Sequence, residues 1–170
     1  MSTARQASIA APVDAYIGLG SNLGDRVGEV ERALAQLAAL PGTELVARSS
    51  LYRTAPIDAG GDDYVNAVAH VRTTLAPAAL LRALHAIEDA HGRERPFANA
   101  PRTLDLDLLL HGDAVVADDR LTLPHPRLHE RAFVVVPLAE IAPDLVIPEH
   151  GHVAALRAAV AGQRVAKLER

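Results

Sequence analysis

Residues 103–108 are Thr-Leu-Asp-Leu-Asp-Leu, and this alternation constrains the fold more than any other segment. A period of two is typical of a β-strand with one buried face, so we expect the leucines in a core and Asp105 and Asp107 on the opposite face. Two such carboxylates lie about 7 Å apart at the backbone, and their charges repel unless a cation lies between them. The segment therefore predicts a half-buried strand whose polar face is either solvated or bound to a divalent cation.

Three arginines precede or flank this strand: Arg93, Arg95 and Arg102. Planar guanidinium groups match the geometry of phosphate oxygens. Mg²⁺ usually takes one or two protein carboxylates and keeps water and phosphate oxygens in its other positions. Acidic residues for a metal and arginines for phosphate, between positions 93 and 107, indicate nucleotide chemistry.

The composition narrows the class of protein. The chain has 170 residues, of which 49% are hydrophobic and 22% charged, which is ordinary for a soluble globular protein. We expect a disordered tail over residues 1–13 and one domain over residues 14–170. A net charge of −4 disfavours general nucleic-acid binding, and no apolar run has the length of a membrane span.

Residue types that are rare or missing exclude several mechanisms. The chain has no cysteine, which excludes disulfides and thiolate zinc sites and suits a cytoplasmic protein. Lys167 is its single lysine, so a phosphate-binding loop of the Walker type is excluded. Prolines beside His125 disfavour a helical zinc site with His129, and His125 is instead expected to bond a phosphate or cap a turn.

The order of predicted elements indicates an α+β fold. We expect a ferredoxin-like β-α-β-β-α-β core, with a central, mainly antiparallel sheet packed with helices, plus C-terminal additions. Its strands are predicted at residues 15–19, 44–53, 64–73 and 103–108, and its helices at 27–37 and 77–91. Beyond this core we expect residues 114–117 as the hairpin partner of the aspartate strand, a helix over 132–141 kinked at Pro137, a helix over 153–160 and a strand over 164–168.

Several segments occur in a recognisable order along the chain. The most specific is Pro-Arg-Thr-Leu-Asp-Leu-Asp at 101–107, together with the downstream Pro-His at 124–125. The others lie at residues 16–25, 49–54, 64–67, 92–93 and 121–123. Together they resemble the 6-hydroxymethyl-7,8-dihydropterin pyrophosphokinase family of folate biosynthesis, and the resemblance covers about residues 14–150.

The resemblance implies an activity and a set of site residues. ATP would give its β,γ-pyrophosphate to the hydroxymethyl oxygen of the pterin and leave as AMP. Asp105 and Asp107 would hold two Mg²⁺ ions, and Arg93 and Arg102 would act in catalysis. The ATP site would contain Glu88, Arg93, Arg95, Arg102, Arg120, Thr122, His125 and Arg131. The pterin pocket would contain Thr54, Ala55, Pro56, Ile57, Tyr64, Asn66 and Phe133, with the rings of Tyr64 and Phe133 on either side of the pterin.

The expected partners are therefore the small molecules ATP and dihydropterin, with no nucleic acid, no membrane and a monomeric protein. The residues alone leave two alternatives. Asp-x-Asp also occurs in metal-dependent nucleotidyltransferases and glycosyltransferases, and a ferredoxin-like domain can be a regulatory module without enzymatic activity. Release of AMP distinguishes the pyrophosphokinase from both.

Overall fold

The computed structural model describes residues 11–55, 63–92 and 104–168. The strands are β1 (Val13–Ser21), β2 (Thr43–Arg48), β3 (Tyr52–Thr54), β4 (Tyr64–Thr73), β5 (Asp105–His111), β6 (Val116–Ala117), β7 (Thr122–Leu123), β8 (Val146–Ile147), β9 (Gly151–His152) and β10 (Ala166–Lys167). The helices are α1 (Arg26–Ala38), α2 (Pro77–Ala90), α3 (Ala132–Ile141) and α4 (Val153–Ala159), with a 3₁₀ helix at Leu128–Glu130. β1 begins one residue before the predicted domain boundary.

The central sheet has the strand order β10-β3-β4-β1-β5, and β2 also pairs with β4. Every pairing in it is antiparallel. In chain order, β1, α1, the pair β2 and β3, β4, α2 and β5 give the predicted ferredoxin-like arrangement, with β2 and β3 in the place of its second strand. The predicted α+β fold class is confirmed.

The segment 44–53 was expected to be one strand, and it forms two. Ser49 lies between them, where its N–H donates to the Val68 carbonyl at 2.9 Å and its hydroxyl accepts from the Val68 N–H at 2.9 Å. The side chain thus replaces a backbone acceptor, the chain bends, and β2 and β3 pair with different parts of β4.

Residues 114–117 do not form a hairpin with β5, so that prediction is wrong. β6 pairs instead with β7, in the register Val116 to Leu123. The carboxylate of Asp118 accepts from the N–H groups of Arg120 and Leu121, both at 2.9 Å, and closes the turn that folds β6 back onto β7.

The period-two pattern of β4 places its side chains in two cores. Val65 and Val71 belong to the core under α1 and α2, whereas Val68 belongs to the core under α3. Helix α3 contains Pro137, as expected, and most of its residues are buried. In the part of the chain that the structure covers, no helix is long and apolar enough to cross a membrane.

Candidate active site

A cavity of about 320 Å³ lies at one end of the sheet, beside the start of α3. Strands β1, β4 and β5, the end of β3 and the start of α3 all contribute to its wall. It brings together these predicted site residues: Thr54, Ala55, Tyr64, Asn66, Asp105, Asp107, Arg131 and Phe133.

Asp105 and Asp107 line the cavity together with their partners on β1, which are both glycines. Asp105 pairs with Gly20 and Asp107 with Gly18, and directly paired residues of antiparallel strands point to the same face. Both aspartates are half-buried and line the cavity. A pair of hard oxygen donors with room for further ligands fits Mg²⁺, which needs few protein ligands.

The described residues contain no cluster of three or more side chains that would hold a metal by themselves. The aspartate pair would therefore depend on water or substrate oxygens to complete the coordination of an ion. This is the usual arrangement of Mg²⁺ in sites that bind nucleotide phosphates.

Glu88 holds the backbone between the two aspartates. Its Oε2 accepts a hydrogen bond of 2.8 Å from the N–H of Leu106. Strand β5 is at the edge of the sheet, and this carboxylate from α2 supplies an acceptor for a backbone donor there. Glu88 is outside the cavity lining, so its observed contact is with the strand that carries the carboxylates.

The wall opposite the aspartates contains aromatic and amide groups. The hydroxyl of Thr54 donates to Asn66 Oδ1 at 2.7 Å, and both side chains are buried. This bond orients the Asn66 amide so that its nitrogen lies on the side of Gly20. Tyr64 and Phe133 line the same cavity. Aromatic faces beside an oriented amide suit a flat heterocycle that carries hydrogen-bonding groups.

Arg131, the residue just before α3, contributes a positive charge to the cavity wall. The guanidinium carbon of Arg131 lies 5.5 Å from the centre of the Phe133 ring. Its Nε is buried and, within the described residues, has no hydrogen-bond partner. A guanidinium N–H in the same cavity as two carboxylates can bind an anionic group that enters with a cation.

His125 connects this segment to β5. Its backbone N–H donates to the Leu109 carbonyl at 2.9 Å, and its Nδ1 accepts from the Arg127 N–H at 3.2 Å. Burial lowers the pKa of His125, and the nearby charge of Arg131 lowers it further, against the opposing effect of Asp105. A neutral ring that accepts at Nδ1 carries its proton on Nε2 and can donate there.

The other predicted site residues fall into two groups: some are described and lie outside the cavity lining, and some lie outside the described part of the chain. Among described residues, Glu88, Arg120, Thr122 and His125 are outside its lining, and Arg120 and Thr122 are exposed. The following predicted residues lie outside the described part of the chain: Pro56, Ile57, Arg93, Arg95 and Arg102.

Sequence reasoning did not select Gly18, Gly20 or Arg127, all of which line the cavity. Two glycines separated by one residue in an apolar strand are a signal of close approach by another group. Arg127 lies between two selected residues, His125 and Arg131, in a turn-rich segment. Its position there is a weaker signal, because an arginine in such a segment is usually solvated.

Comparison with known proteins identifies the family. The model of the family described as 7,8-dihydro-6-hydroxymethylpterin-pyrophosphokinase (HPPK) matches residues 16–143. A relative from Methylorubrum extorquens, named 2-amino-4-hydroxy-6-hydroxymethyldihydropteridine pyrophosphokinase, is 51% identical over 134 residues, which are 78% of this chain and 85% of the relative. A relative of the same name from Haemophilus influenzae is 44% identical over 157 residues, 92% of this chain and 98% of the relative.

Comparison with solved structures shows the same fold as in HPPK domains. A chain of the HPPK-DHPS protein of Plasmodium falciparum superposes with a TM-score of 0.72 and 14% identity, over 89% of this chain. The match spans 44% of that longer chain. The sequence matches and the shared fold lead to one conclusion: this chain belongs to the 7,8-dihydro-6-hydroxymethylpterin-pyrophosphokinase family.

Proposed function

We propose that this chain transfers the β,γ-pyrophosphate of ATP to the hydroxymethyl oxygen of 6-hydroxymethyl-7,8-dihydropterin and releases AMP. The hydroxyl oxygen forms a bond to the β-phosphorus, the bond from that phosphorus to the α,β-bridging oxygen breaks, and the hydroxyl proton leaves to water. The observation that carries the proposal is a single cavity in which the Asp105–Asp107 pair adjoins aromatic rings and an oriented amide. Such a cavity can hold a phosphate chain and a flat heterocycle side by side.

The pterin half of the site is formed by Thr54, Ala55, Tyr64, Asn66 and Phe133, all on the cavity wall. The rings of Tyr64 and Phe133 stack on the pterin, and the Asn66 amide bonds its edge. We propose that Pro56 and Ile57, which follow Ala55 in the chain, also bind the pterin.

The ATP half of the site depends on charge. Asp105 and Asp107 hold two Mg²⁺ ions, which when bound neutralise the charge of the phosphates. Arg93 and Arg102 bind the transferred group, because guanidinium donors match phosphate oxygens. The other residues of the ATP site are Glu88, Arg95, Arg120, Thr122, His125 and Arg131. We further propose that the protein works as a monomer in the cytoplasm on these two small molecules, without nucleic acid or membrane.

The test is to identify the nucleotide product. The protein is incubated with ATP, Mg²⁺ and the dihydropterin, and we expect AMP and the pterin pyrophosphate in equal amounts. ADP as the product, or no turnover at all, would contradict the proposal.

Loss of either cavity carboxylate tests the proposed metal ligands. We expect Asp105→Asn or Asp107→Asn to lower kcat by about 10³-fold or more, since neutralisation of phosphate charge is worth that much in phosphoryl transfer. Asp113→Asn is the matched control, because Asp113 is exposed just after the same strand and should keep the parent rate. Circular dichroism checks that all three variants are folded. Parent rates in both cavity variants would show that this pair does not hold the metal.

A further inference from the structure

Gln163, in the segment between α4 and β10, contacts the backbone on both sides of Arg131. Its Oε1 accepts from the N–H of Ala132 at 2.9 Å, and its Nε2 donates to the carbonyl of Glu130 at 2.7 Å. Both polar ends of one amide thus bond to backbone groups that lie two residues apart. The family match ends at residue 143, so Gln163 lies beyond it.

These bonds act where helix α3 begins. The first N–H groups of a helix have no acceptor within it. Arg131, the residue before the first turn of α3, makes no capping bond with its side chain. Gln163 supplies an acceptor to Ala132 from a distant part of the chain, and the second bond holds the end of the 3₁₀ helix. The backbone of Arg131 is therefore held at both of its neighbours.

The residues held in this way belong to the cavity. Arg131 and Phe133 both line it. The segment of Gln163 also supports the facing wall, because β10 pairs with β3 in the register Ala166 to Arg53 and Lys167 to Tyr52. Strand β3 ends at Thr54, which donates to Asn66. One segment of the chain thus contacts α3 and β3, and both of these elements contribute residues to the proposed pterin pocket.

We propose that Gln163 is a positioning residue that fixes Phe133 for the pterin by holding the start of α3. This inference rests on the proposed function, because it concerns the same pocket. Gln163 does not line the cavity that contains Asp105 and Asp107. It acts through its hydrogen bonds to the start of α3. A pocket that is ordered before the ligand arrives costs less free energy to occupy.

The experiment replaces Gln163 by Met, which keeps the length of the side chain and removes both hydrogen bonds. We expect the Kd of 6-hydroxymethyl-7,8-dihydropterin, measured by its fluorescence with Mg²⁺ and a non-hydrolysable ATP analogue present, to rise by about tenfold. KM for the pterin should rise in parallel, whereas kcat should stay within about threefold of the parent value. This pattern is expected when a variant loses the same binding free energy in the ground state and in the transition state. Gln163→Ala removes the same bonds without added apolar surface and should behave alike.

Thr43→Val is the matched control. It removes a hydrogen bond of 2.7 Å between the hydroxyls of Thr43 and Thr73 at the far end of the sheet, and should leave the pterin Kd unchanged. The inference is overturned if both Gln163 variants bind the pterin as the parent does, or if their loss of affinity is equalled by the control. If instead the parent protein neither binds the pterin nor forms AMP, the proposed function itself fails.

Discussion

At the scale of single residues, the cavity depends on glycine at position 20, which has no side chain. A Cβ atom at Gly20 would lie 2.9 Å from Asn66 Nδ2, closer than such atoms approach in folded proteins. The hydroxyl of Thr54 already holds the other end of the same amide. The observed orientation of the Asn66 amide therefore requires glycine at position 20. A ligand in the cavity would meet the amide in this orientation.

Gly20→Ala tests this dependence. The added methyl group must displace the Asn66 amide, so we expect KM for the pterin to rise by about tenfold, the cost of about one misplaced hydrogen bond. The readout is steady-state AMP release at saturating ATP. Gly162→Ala is the control, since its added Cβ would meet nothing within 4 Å. An unchanged KM in Gly20→Ala would mean that the amide adapts without cost.

The sequence predicts residues well where a local pattern suffices. The faces of Asp105 and Asp107 follow from alternation alone, and the structure puts both in the cavity. The roles of Gly18 and Gly20 depend on the register of β1 against β4 and β5. That register pairs residues that are far apart in the chain, so a pattern within a short stretch of sequence cannot predict it.

At the scale of elements, one carboxylate ties α3 to the bend between β2 and β3. Glu140 accepts from the N–H of Ser50 at 3.0 Å, from the Ser50 hydroxyl at 2.7 Å and from the Tyr52 hydroxyl at 2.7 Å. Burial and the hydrogen bond to Glu140 both raise the pKa of Tyr52. Together with Gln163, which bonds the start of α3, this contact holds the helix at both ends.

The hydrogen bonds to Glu140 make the stability of the protein depend on pH. Partial burial raises the pKa of Glu140, but the hydrogen bonds from Tyr52 and Ser50 outweigh it, so the pKa is lowered from 4.5. Because the folded state holds the charged form, this stabilisation is complete above pH 4.5 and is lost as the pH falls through the lower folded value. In urea unfolding, Glu140→Gln should cost about 1 kcal/mol near neutral pH, because Glu140 is exposed and solvent screens its charge.

The difference between Glu140→Gln and the parent should shrink below pH 4.5, where the parent carboxylate becomes protonated in the folded state as well. Glu44→Gln, in the outer strand β2, controls for the loss of one carboxylate. A difference that stays constant, or grows, as the pH is lowered would contradict the assignment of these bonds to the charged form.

The type and order of the larger elements follow from the sequence, whereas pairing after β5 does not. Helix 132–141 was predicted at its observed bounds, because its apolar run begins after Arg131 and stops shortly before Pro143. The break at Ser49 and the pairing of β6 with β7 depend on single side chains that bond to backbone. Such bonds compete with regular strands and have no periodic signal.

At the scale of the whole molecule, one sheet separates two hydrophobic cores, and the helix over one of them carries residues of the cavity. The core under α1 and α2 contains Leu37, and the core under α3 and α4 contains Leu138; both leucines are fully buried. The cavity receives Phe133 and Arg131 from the side of α3 alone. Amphipathic patterns predict that helices cover the sheet, but they do not say which face carries the site.

Truncation of one leucine in each core separates stability from function. We expect both Leu37→Ala and Leu138→Ala to lower the free energy of unfolding by about 2–5 kcal/mol, the usual cost of such a cavity. Measured well below the unfolding transition, Leu37→Ala should keep the parent KM for the pterin. Leu138→Ala should raise it, because a cavity beneath α3 lets the helix and its Phe133 shift. Equal KM values in two variants of equal stability would show that the site tolerates movement of α3, and that the sheet alone fixes its geometry.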